Sequence, residues 1–413
     1  MNKEQQEGDS VLTILRDLHT IRNRTQAILN LAKHNKLAHF ALAEENMTAT
    51  ASFVTEVIRQ QYPDLNIPYH SRWRHFEAGG INRLQKMQKQ FSALSMNERG
   101  KILFELVIIS VILDAGAGQS WRYIEPETAL EYSRSEGLAL ASLHLYQWGN
   151  FSANPNTPLR VDGQRLLEFS EHDLKQGMQV SETNVLEGIT GRVALLNRLG
   201  TIIQENPSYF GEEGRLGNFY THINSLVTNN HIKVTQIFQE VLNAFNTIWP
   251  VRSVFHGVPL GDVWQHQALK TDVPGSEYVP FHKLSQWLTY SLIEPLQQAG
   301  IKVTHLETLT GLPEYRNGGL IIDTGLIQLK DKKALLQPHD PSSELIVEWR
   351  ALTVALLDKL AVLIRKNLQK NVQELPLAKI LQGGTWEAGR RIAKQKRGQG
   401  TPPLQIISDG TVF

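Results

Sequence analysis

Apolar residues recur at helical spacing along most of this chain. Near the N-terminus, Val11, Leu15 and Leu18 follow one another at intervals of four and three residues, which places them on one face of a helix. The same spacing predicts further helices over residues 52–61, 96–113, 182–204, 233–249 and 281–299. The chain is therefore expected to be mainly α.

A long helix is predicted after Asp340-Pro341, where an N-cap residue precedes a proline suited to a first turn. Its apolar positions share one stripe, made of Leu345, Trp349, Leu352, Leu356, Leu360 and Leu363. Glu348 and Arg350 flank this stripe, whereas Asp358 points to the opposite side and is expected to be solvated. Because burying a lone carboxylate costs several kcal/mol, Glu348 must be paired or functional. Arg350 either pairs with a neighbouring helix or reaches a cavity rim.

Strand signals are few. Residues 318–329 are predicted to form one hairpin, and residues 404–413 another around Asp409-Gly410. Strands and helices do not alternate regularly, which argues against a doubly wound fold. We therefore expect a single large helical domain with minor β hairpins. Residues 1–60 would form an N-terminal helical segment packed on a main domain, residues 61–413, that carries the site.

The charge balance and the missing cysteine narrow the function. The 413 residues include 42 Lys plus Arg against 41 Asp plus Glu, so no global basic field exists to bind nucleic acid or an anionic membrane. No Cys is present, which removes thiol chemistry and indicates a reducing compartment. The first residues are acidic, unlike a signal peptide, and the apolar run 102–113 is short for a membrane span. A cytoplasmic protein is expected.

Standard catalytic signatures are missing. The segment Leu113-Asp114-Ala115-Gly116-Ala117-Gly118, with Glu136 further on, resembles a dinucleotide-binding loop but lacks the third glycine and follows a helix. A methyltransferase loop and a glycine-rich helix end both remain open. No His pair has metal-ligand spacing, and neither a P-loop nor a Gly-x-Ser-x-Gly elbow occurs. We predict no metal and no cofactor.

Several short segments crowd Arg, acidic, aromatic and Gly residues together. Such residues suit a nucleotide-like ligand, because guanidiniums bind phosphate and aromatic faces stack on planar groups. Buried structural ion pairs would produce similar clusters. The segments are residues 72–80, 114–123, 134–137, 262–264, 314–319 and 383–386.

Several motifs together resemble the uracil catabolism protein 4 family. They are SRWRHFEAGG, LDAGAG, RSEG, PLRVDG, LTGLPEYRNGG, EWRALTVALLDKLA, LPLAKILQGGTW and SDGTVF, and they extend over nearly the whole chain. The resemblance implies a role in a route that ribosylates uracil and opens its ring at the nucleotide stage. The intermediate would be a urea-bearing ribose that still carries its 5′-phosphate.

A weaker similarity concerns the queuosine salvage proteins, and rests on residues 279–286, 314–316 and 348–354. Those proteins are helical, DNA-glycosylase-like enzymes that hydrolyse the N-glycosidic bond of a nucleoside 5′-phosphate. This chain has Glu314-Tyr315-Arg316 where they have Asp-Tyr-Arg, and Lys283-Leu284-Ser285-Gln286 where they have Lys-Arg-Ala-Gln. The similarity implies a DNA-glycosylase-like core and an N-ribosidase that releases urea and ribose 5-phosphate.

Such a reaction passes through an oxocarbenium-like state, which a carboxylate near C1′ stabilises while an acid protonates the departing urea. Asp262 is the first candidate for that carboxylate and Asp114 the second. Glu314 and Glu348 would hold ribose hydroxyls or the urea. The remaining substrate-binding candidates include the phosphate ligands Arg72, Lys283 and Arg316, together with Trp121, Tyr123, Tyr315 and Arg350.

Two alternatives stay open at this point. The chain could hydrolyse the ureide amide bond, which normally requires a metal or an activated nucleophile. It could instead be a noncatalytic partner or carrier of the ring-opening enzyme. In all three cases the expected ligand is a small nucleotide-like molecule, and the expected protein partners are other enzymes of uracil catabolism.

Overall fold

A computed structural model describes the backbone of residues 3–407 and the side chains of residues 8–407. Contacts divide these residues into two compact units. Unit 1 comprises residues 3–70, 251–286 and 305–407, and unit 2 comprises residues 71–250 and 287–304. The motif SDGTVF lies outside the described residues.

Helices dominate both units, so the prediction of a mainly α protein is confirmed. The α-helices are α1 (Lys3–Leu15), α2 (Leu18–Lys33), α3 (Met47–Gln61), α4 (Arg72–Phe76), α5 (Arg83–Gln90), α6 (Met96–Ile112), α7 (Arg134–Gln147), α8 (Gly163–Glu168), α9 (Glu171–Gly177), α10 (Ile189–Glu205), α11 (Pro207–Phe210), α12 (Asn218–Ser225), α13 (Val234–Phe245), α14 (Lys283–Gln298), α15 (Tyr315–Asp323), α16 (Glu344–Leu368), α17 (Leu377–Ile380) and α18 (Trp386–Lys396). A π-helical turn, Leu381–Thr385, joins α17 to α18. No described helix combines the length and apolar character needed to cross a bilayer.

Strands occur only as short pairs within the described residues. They are β1 (Phe40–Leu42), β2 (Tyr123–Ile124), β3 (Glu131–Tyr132), β4 (His231–Lys233), β5 (Val254–Phe255), β6 (Val258–Pro259), β7 (Val263–Gln265), β8 (Tyr278–Pro280), β9 (Lys302–Thr304), β10 (Ile327–Leu329), β11 (Pro338–His339) and β12 (Gln405–Ile406). The antiparallel pairs are β1–β10, β2–β3, β5–β6 and β7–β8, and the parallel pairs are β4–β9 and β11–β12.

Helix α16 forms the centre of unit 1, where α2, α3 and α15 pack against it. Its residues 345–357 are all buried, so its apolar surface is much wider than the predicted stripe. Glu348 and Arg350 therefore lie in the interior of the unit and require partners. Asp358 was predicted to be merely solvated, which is wrong: Arg22 Nε donates to its carboxylate at 2.8 Å.

The two predicted hairpins are not formed as expected. Residues 315–323 are the helix α15, whose N-cap Glu314 accepts the backbone N–H groups of Arg316 and Asn317. Gly318 serves helix packing instead of a turn, because a Cβ there would lie 2.7 Å from the Trp349 ring. β10 pairs with β1, which is distant in sequence. In the second segment β12 pairs with β11, and Asp409-Gly410 lies outside the described residues.

Unit 2 is built around α6 and α7, which pack against each other. Residues 102–112 of α6 and 137–146 of α7 are buried on all sides. The apolar run 102–113 is thus an interior helix of a globular unit. In the same unit α10 packs closely on α8, where a Cβ at Gly200 would lie 2.8 Å from the Gly163 carbonyl oxygen.

Candidate active site

Asp262 and Arg350 form an ion pair in unit 1. Asp262 comes directly before β7, and Arg350 lies on α16. The guanidinium donates from Nη1 to Oδ1 at 2.7 Å and from Nη2 to Oδ2 at 2.8 Å, which is the bidentate geometry. Its central carbon also lies 4.1 Å from the centroid of the Phe281 ring. This partner of Arg350 thus lies before a strand and not on a neighbouring helix.

Two further donors hold the Asp262 carboxylate. Trp264 Nε1 donates to Oδ1 at 2.7 Å, and the backbone N–H of Lys283 donates to Oδ2 at 2.9 Å. Burial acts to raise the pKa of Asp262, but Arg350 and these hydrogen bonds outweigh it and hold that pKa well below its ordinary value. Asp262 is therefore ionised at neutral pH. The guanidinium of Arg350 balances this charge, and 24% of the Asp262 side chain remains exposed.

Glu314 is a buried carboxyl group of a different character. Its two oxygens accept the backbone N–H groups of Arg316 at 2.7 Å and Asn317 at 2.6 Å. Burial raises the pKa of Glu314, although these hydrogen bonds and the charges of Lys283 and Arg316 act against that shift. A carboxyl group whose pKa is raised keeps its proton to higher pH and can act as a general acid.

His70 is another titratable residue of unit 1. It is buried, and its Nδ1 lies 3.0 Å from Gln382 Oε1, which sits in the π-helical turn. Burial lowers the pKa of His70 to about 4, with Gln382 opposing and Lys283 adding to the shift. The charge of Lys283 acts on both His70 and Glu314, and we refer to these three residues as the polar region of unit 1. The ring is neutral at neutral pH.

Arg316 extends this polar region on α15. Its Nη1 donates to the carbonyl oxygen of Gly400 at 3.0 Å, and its guanidinium lies 5.0 Å from the Tyr315 ring and 5.9 Å from the Trp386 ring. Arg316 is buried, and among the described residues its Nε has no hydrogen-bond partner. A buried guanidinium N–H without an acceptor is available to a phosphate or hydroxyl oxygen.

Glu348 does not point to this region. It is fully buried, and its oxygens accept the backbone N–H groups of Ala38 at 3.0 Å, His39 at 3.1 Å and Phe40 at 3.2 Å. The Nε2 atom of His266 lies 3.4 Å from Glu348 Oε1. Glu348 therefore connects α16 to residues 38–40 at the start of β1.

His266 also faces a second carboxylate. Its Nε2 lies 3.4 Å from Oε1 of Glu344, so His266, Glu344 and Glu348 present ligand atoms that all lie within 4.8 Å of one another. This is a group that could hold a metal ion. Glu344 and Glu348 are four residues apart on α16 and therefore lie on the same face of the helix.

In unit 2, Arg72 and Asp114 form a buried ion pair. Arg72 is fully buried, and its Nη1 lies 2.9 Å from Asp114 Oδ1. Its Nε donates to Ser110 Oγ at 2.7 Å, and its Nη1 donates to the Ser135 carbonyl oxygen at 3.1 Å. Nη2 has no hydrogen-bond partner within the part of the chain that the structure describes. Nε and Nη1 of this guanidinium thus have hydrogen-bond partners within the protein.

The glycine-containing segment after α6 is held by another buried arginine. Arg192 donates to the carbonyl oxygens of Leu113, Ala115 and Gly116, the last two at 2.8 Å. Burial lowers the pKa of Arg192 to about 10, which still leaves it charged at neutral pH. Leu113 is the C-cap of α6, and Ala115 and Gly116 lie in the loop that follows, so Arg192 binds the helix end and this loop together. The helix-end and ligand-loop interpretations of this segment both stay predictions.

Trp121 and Tyr123 are both buried inside unit 2. Trp121 Nε1 donates to the Met178 carbonyl oxygen at 2.9 Å, and the Tyr123 hydroxyl lies 2.7 Å from His144 Nδ1. Neither ring is exposed to solvent. Their contacts are those of core residues. The two rings therefore do not form an open surface on which a ligand could stack.

The structure therefore groups the predicted residues into separate sets. In unit 1, Glu314, Tyr315 and Arg316 lie together, and Lys283 contacts Asp262 through its backbone while its charge acts on Glu314. In unit 2, Arg72 pairs with Asp114. Sequence reasoning missed His70, Gln382 and His266, whose partners are far away along the chain. For Gln382 the neighbouring Gly383-Gly384 pair was a signal.

Comparisons with known proteins agree on the relationship. A family model described as "Protein of unknown function (DUF1688)" matches residues 14–413. The chain is 38% identical to "Protein urg3" of Schizosaccharomyces pombe over 408 residues, which cover 97% of this chain and 98% of that protein. It is 35% identical to "Uracil catabolism protein 4" of Lachancea kluyveri over 439 residues, which cover 98% of this chain and 99% of that protein. The chain therefore belongs to the DUF1688 family, and its resemblance to the uracil catabolism protein 4 family is confirmed.

Proposed function

We propose that this chain acts in uracil catabolism and hydrolyses the N-glycosidic bond of a urea riboside 5′-phosphate, giving urea and ribose 5-phosphate. The pathway is supported by the printed name of the Lachancea kluyveri relative, which spans this chain almost completely. The reaction is supported by one observation above all. Glu314 is a buried carboxyl group with a raised pKa, and the charges of Lys283 and Arg316 act on it.

The proposed step assigns one task to each group. The bond between C1′ and the urea nitrogen breaks, and Glu314 gives its proton to that nitrogen. A water molecule forms the new C1′–O bond, and His70, which is neutral at neutral pH, accepts the proton that this water loses. The ionised Asp262 stabilises the positive charge that develops on the ribose in between. Two protons are thus transferred, and the enzyme returns to its starting state when His70 and Glu314 re-equilibrate.

The phosphate is assigned to the cationic residues of unit 1. Lys283 and Arg316 place positive charge beside Glu314, and the Nε of Arg316 has no acceptor among the described residues. A bound phosphate would accept from that N–H. Tyr315 and Trp386, whose rings lie close to the guanidinium, would limit the water around it.

The test is a product analysis with chemically prepared urea riboside, with and without its 5′-phosphate. Mass spectrometry should detect urea and ribose 5-phosphate in equal amounts from the phosphorylated form. Glu314→Gln should lower kcat by about 100-fold or more, since it removes the acid, while the exposed Glu307→Gln leaves kcat unchanged.

The same assay contradicts the proposal in two ways. Ammonia without urea would indicate hydrolysis of the ureide amide bond. Tight binding without turnover would indicate a carrier or a noncatalytic partner of the ring-opening enzyme.

A further inference from the structure

His266, Glu344 and Glu348 form a group in unit 1 to which the proposed reaction gives no task. His266 lies directly after β7, and the two glutamates lie on α16. Its Nε2 atom is 3.4 Å from one oxygen of each glutamate. His266 is 1% exposed and Glu348 is fully buried, whereas 34% of the Glu344 side chain is exposed. The group therefore has one side open to solvent.

Both distances are long for hydrogen bonds to a carboxylate, although the contact with Glu348 is within hydrogen-bonding range. A charged N–H donating to a carboxylate usually lies about 2.7–2.9 Å from it, and neither contact of His266 is that short. In contrast, two ligands that each lie about 2.1 Å from one ion at a tetrahedral angle are about 3.4 Å apart. The two distances from Nε2 are those of ligands around a common cation, and all three ligand atoms lie within 4.8 Å of one another.

Nε2 is the ring nitrogen of His266 that faces both carboxylates. When Nε2 carries the lone pair of a neutral ring, a cation between the three side chains would take that lone pair and offset the negative charge of the carboxylates. The ring proton then lies on Nδ1, which has no acceptor among the described residues.

We propose that His266, Glu344 and Glu348 bind one divalent transition-metal ion. One imidazole and two carboxylates are a donor set that suits Zn²⁺ or Mn²⁺. Three protein ligands leave a coordination position for water, unlike a closed structural site with four. Glu348 stays fixed for this task by the three backbone N–H groups of residues 38–40.

The experiment measures metal binding directly and needs no activity. Purified chain is stripped with a chelator and titrated calorimetrically with Zn²⁺ and with Mn²⁺, and metal content is measured by mass spectrometry after dialysis. One ion per chain is expected from at least one of the two metals. At about 100-fold excess over Kd, the metal should raise Tm by about 3 °C or more.

The variants identify the site. Glu344→Gln is the main one because Glu344 is partly exposed and the variant should fold, and it should weaken binding at least tenfold. His266→Gln should do the same. His172→Ala removes an exposed histidine of unit 2 and should bind as the unaltered chain does. The proposal is overturned if neither metal binds at one ion per chain, or if both variants bind it with unchanged affinity.

Discussion

The ion pair between Asp262 and Arg350 allows a quantitative test of how unit 1 is stabilised. Arg350→Met keeps most of the apolar stem but removes the guanidinium that donates to both oxygens of Asp262. Removing one partner of a buried ion pair typically costs about 3–5 kcal/mol. Asp262 would retain the donors of Trp264 and Lys283, and 24% of its side chain is exposed. We therefore expect a loss of unfolding free energy at the lower end of this range, about 3 kcal/mol.

The assay is urea unfolding at neutral pH, with a double-mutant cycle. The double variant Asp262→Asn/Arg350→Met has neither charge of the pair. Its loss of unfolding free energy should therefore be about 1–3 kcal/mol smaller than the sum of the losses in the two single variants. The matched control is Lys370→Ala, which breaks the exposed i, i+4 pair with Glu374 in the same unit. That change should cost less than about 1 kcal/mol.

Acid gives an independent check with a definite sign. The pKa of Asp262 is lowered in the folded protein, so the pair contributes its full stability above the unfolded pKa of about 3.9. That contribution is lost as the pH falls from there towards the folded pKa. The difference between the unaltered chain and Arg350→Met should therefore narrow below about pH 4. Equal free energies of unfolding at neutral pH, or a difference that stays constant into acid, would refute this account.

Three further predictions concern other residues. Because burial raises the pKa of Glu314 and the acid form is required, kcat/KM for urea riboside 5′-phosphate should fall as the pH rises through that pKa, and a profile that rises there would contradict Glu314 as the acid. Gly318→Ala should lower the free energy of unfolding by about 1–3 kcal/mol, since the new Cβ would lie 2.7 Å from the Trp349 ring; urea unfolding measures it, and an unchanged midpoint would show that the ring moves freely. Arg192→Met should lower the free energy of unfolding by about 3 kcal/mol or more, because two buried carbonyl groups and one part-buried carbonyl group lose their donor; a loss below about 1 kcal/mol would mean that water replaces the guanidinium there.

The sequence predicted which positions of α16 are buried better than it predicted the residues that those positions contact. The apolar period placed Leu345, Trp349 and Leu352 on one buried face, and the cost of burying charge indicated that Glu348 and Arg350 must be paired. Those partners could not be predicted, because Asp262 and the backbone of residues 38–40 lie far away along the chain. Pairing of this kind depends on the tertiary fold, which local spacing does not encode.

Glycine was the least reliable signal. Gly318 and Gly319 indicated a turn, but both lie inside α15, where Gly318 lets the Trp349 ring pack against the helix. The prediction that no metal is bound rested on the spacing of histidine pairs. It could not address a group in which one histidine meets two glutamates from a distant helix. The cytoplasmic location and the association with other enzymes stay predictions.

Strand β7 contacts α16 at both of its ends: Asp262 before it pairs with Arg350, and His266 after it lies 3.4 Å from Glu348. A segment fixed at two points cannot open to solvent without releasing both, so the hairpin β7–β8 and the first half of α16 should lose their amide protection against hydrogen exchange together, as one cooperative unit. A ligand that stabilises the contact at one end of β7 should then also slow amide hydrogen exchange at the other end. The reaction proposed around Asp262 and the cation proposed at His266 would thus be thermodynamically linked through a strand of three residues.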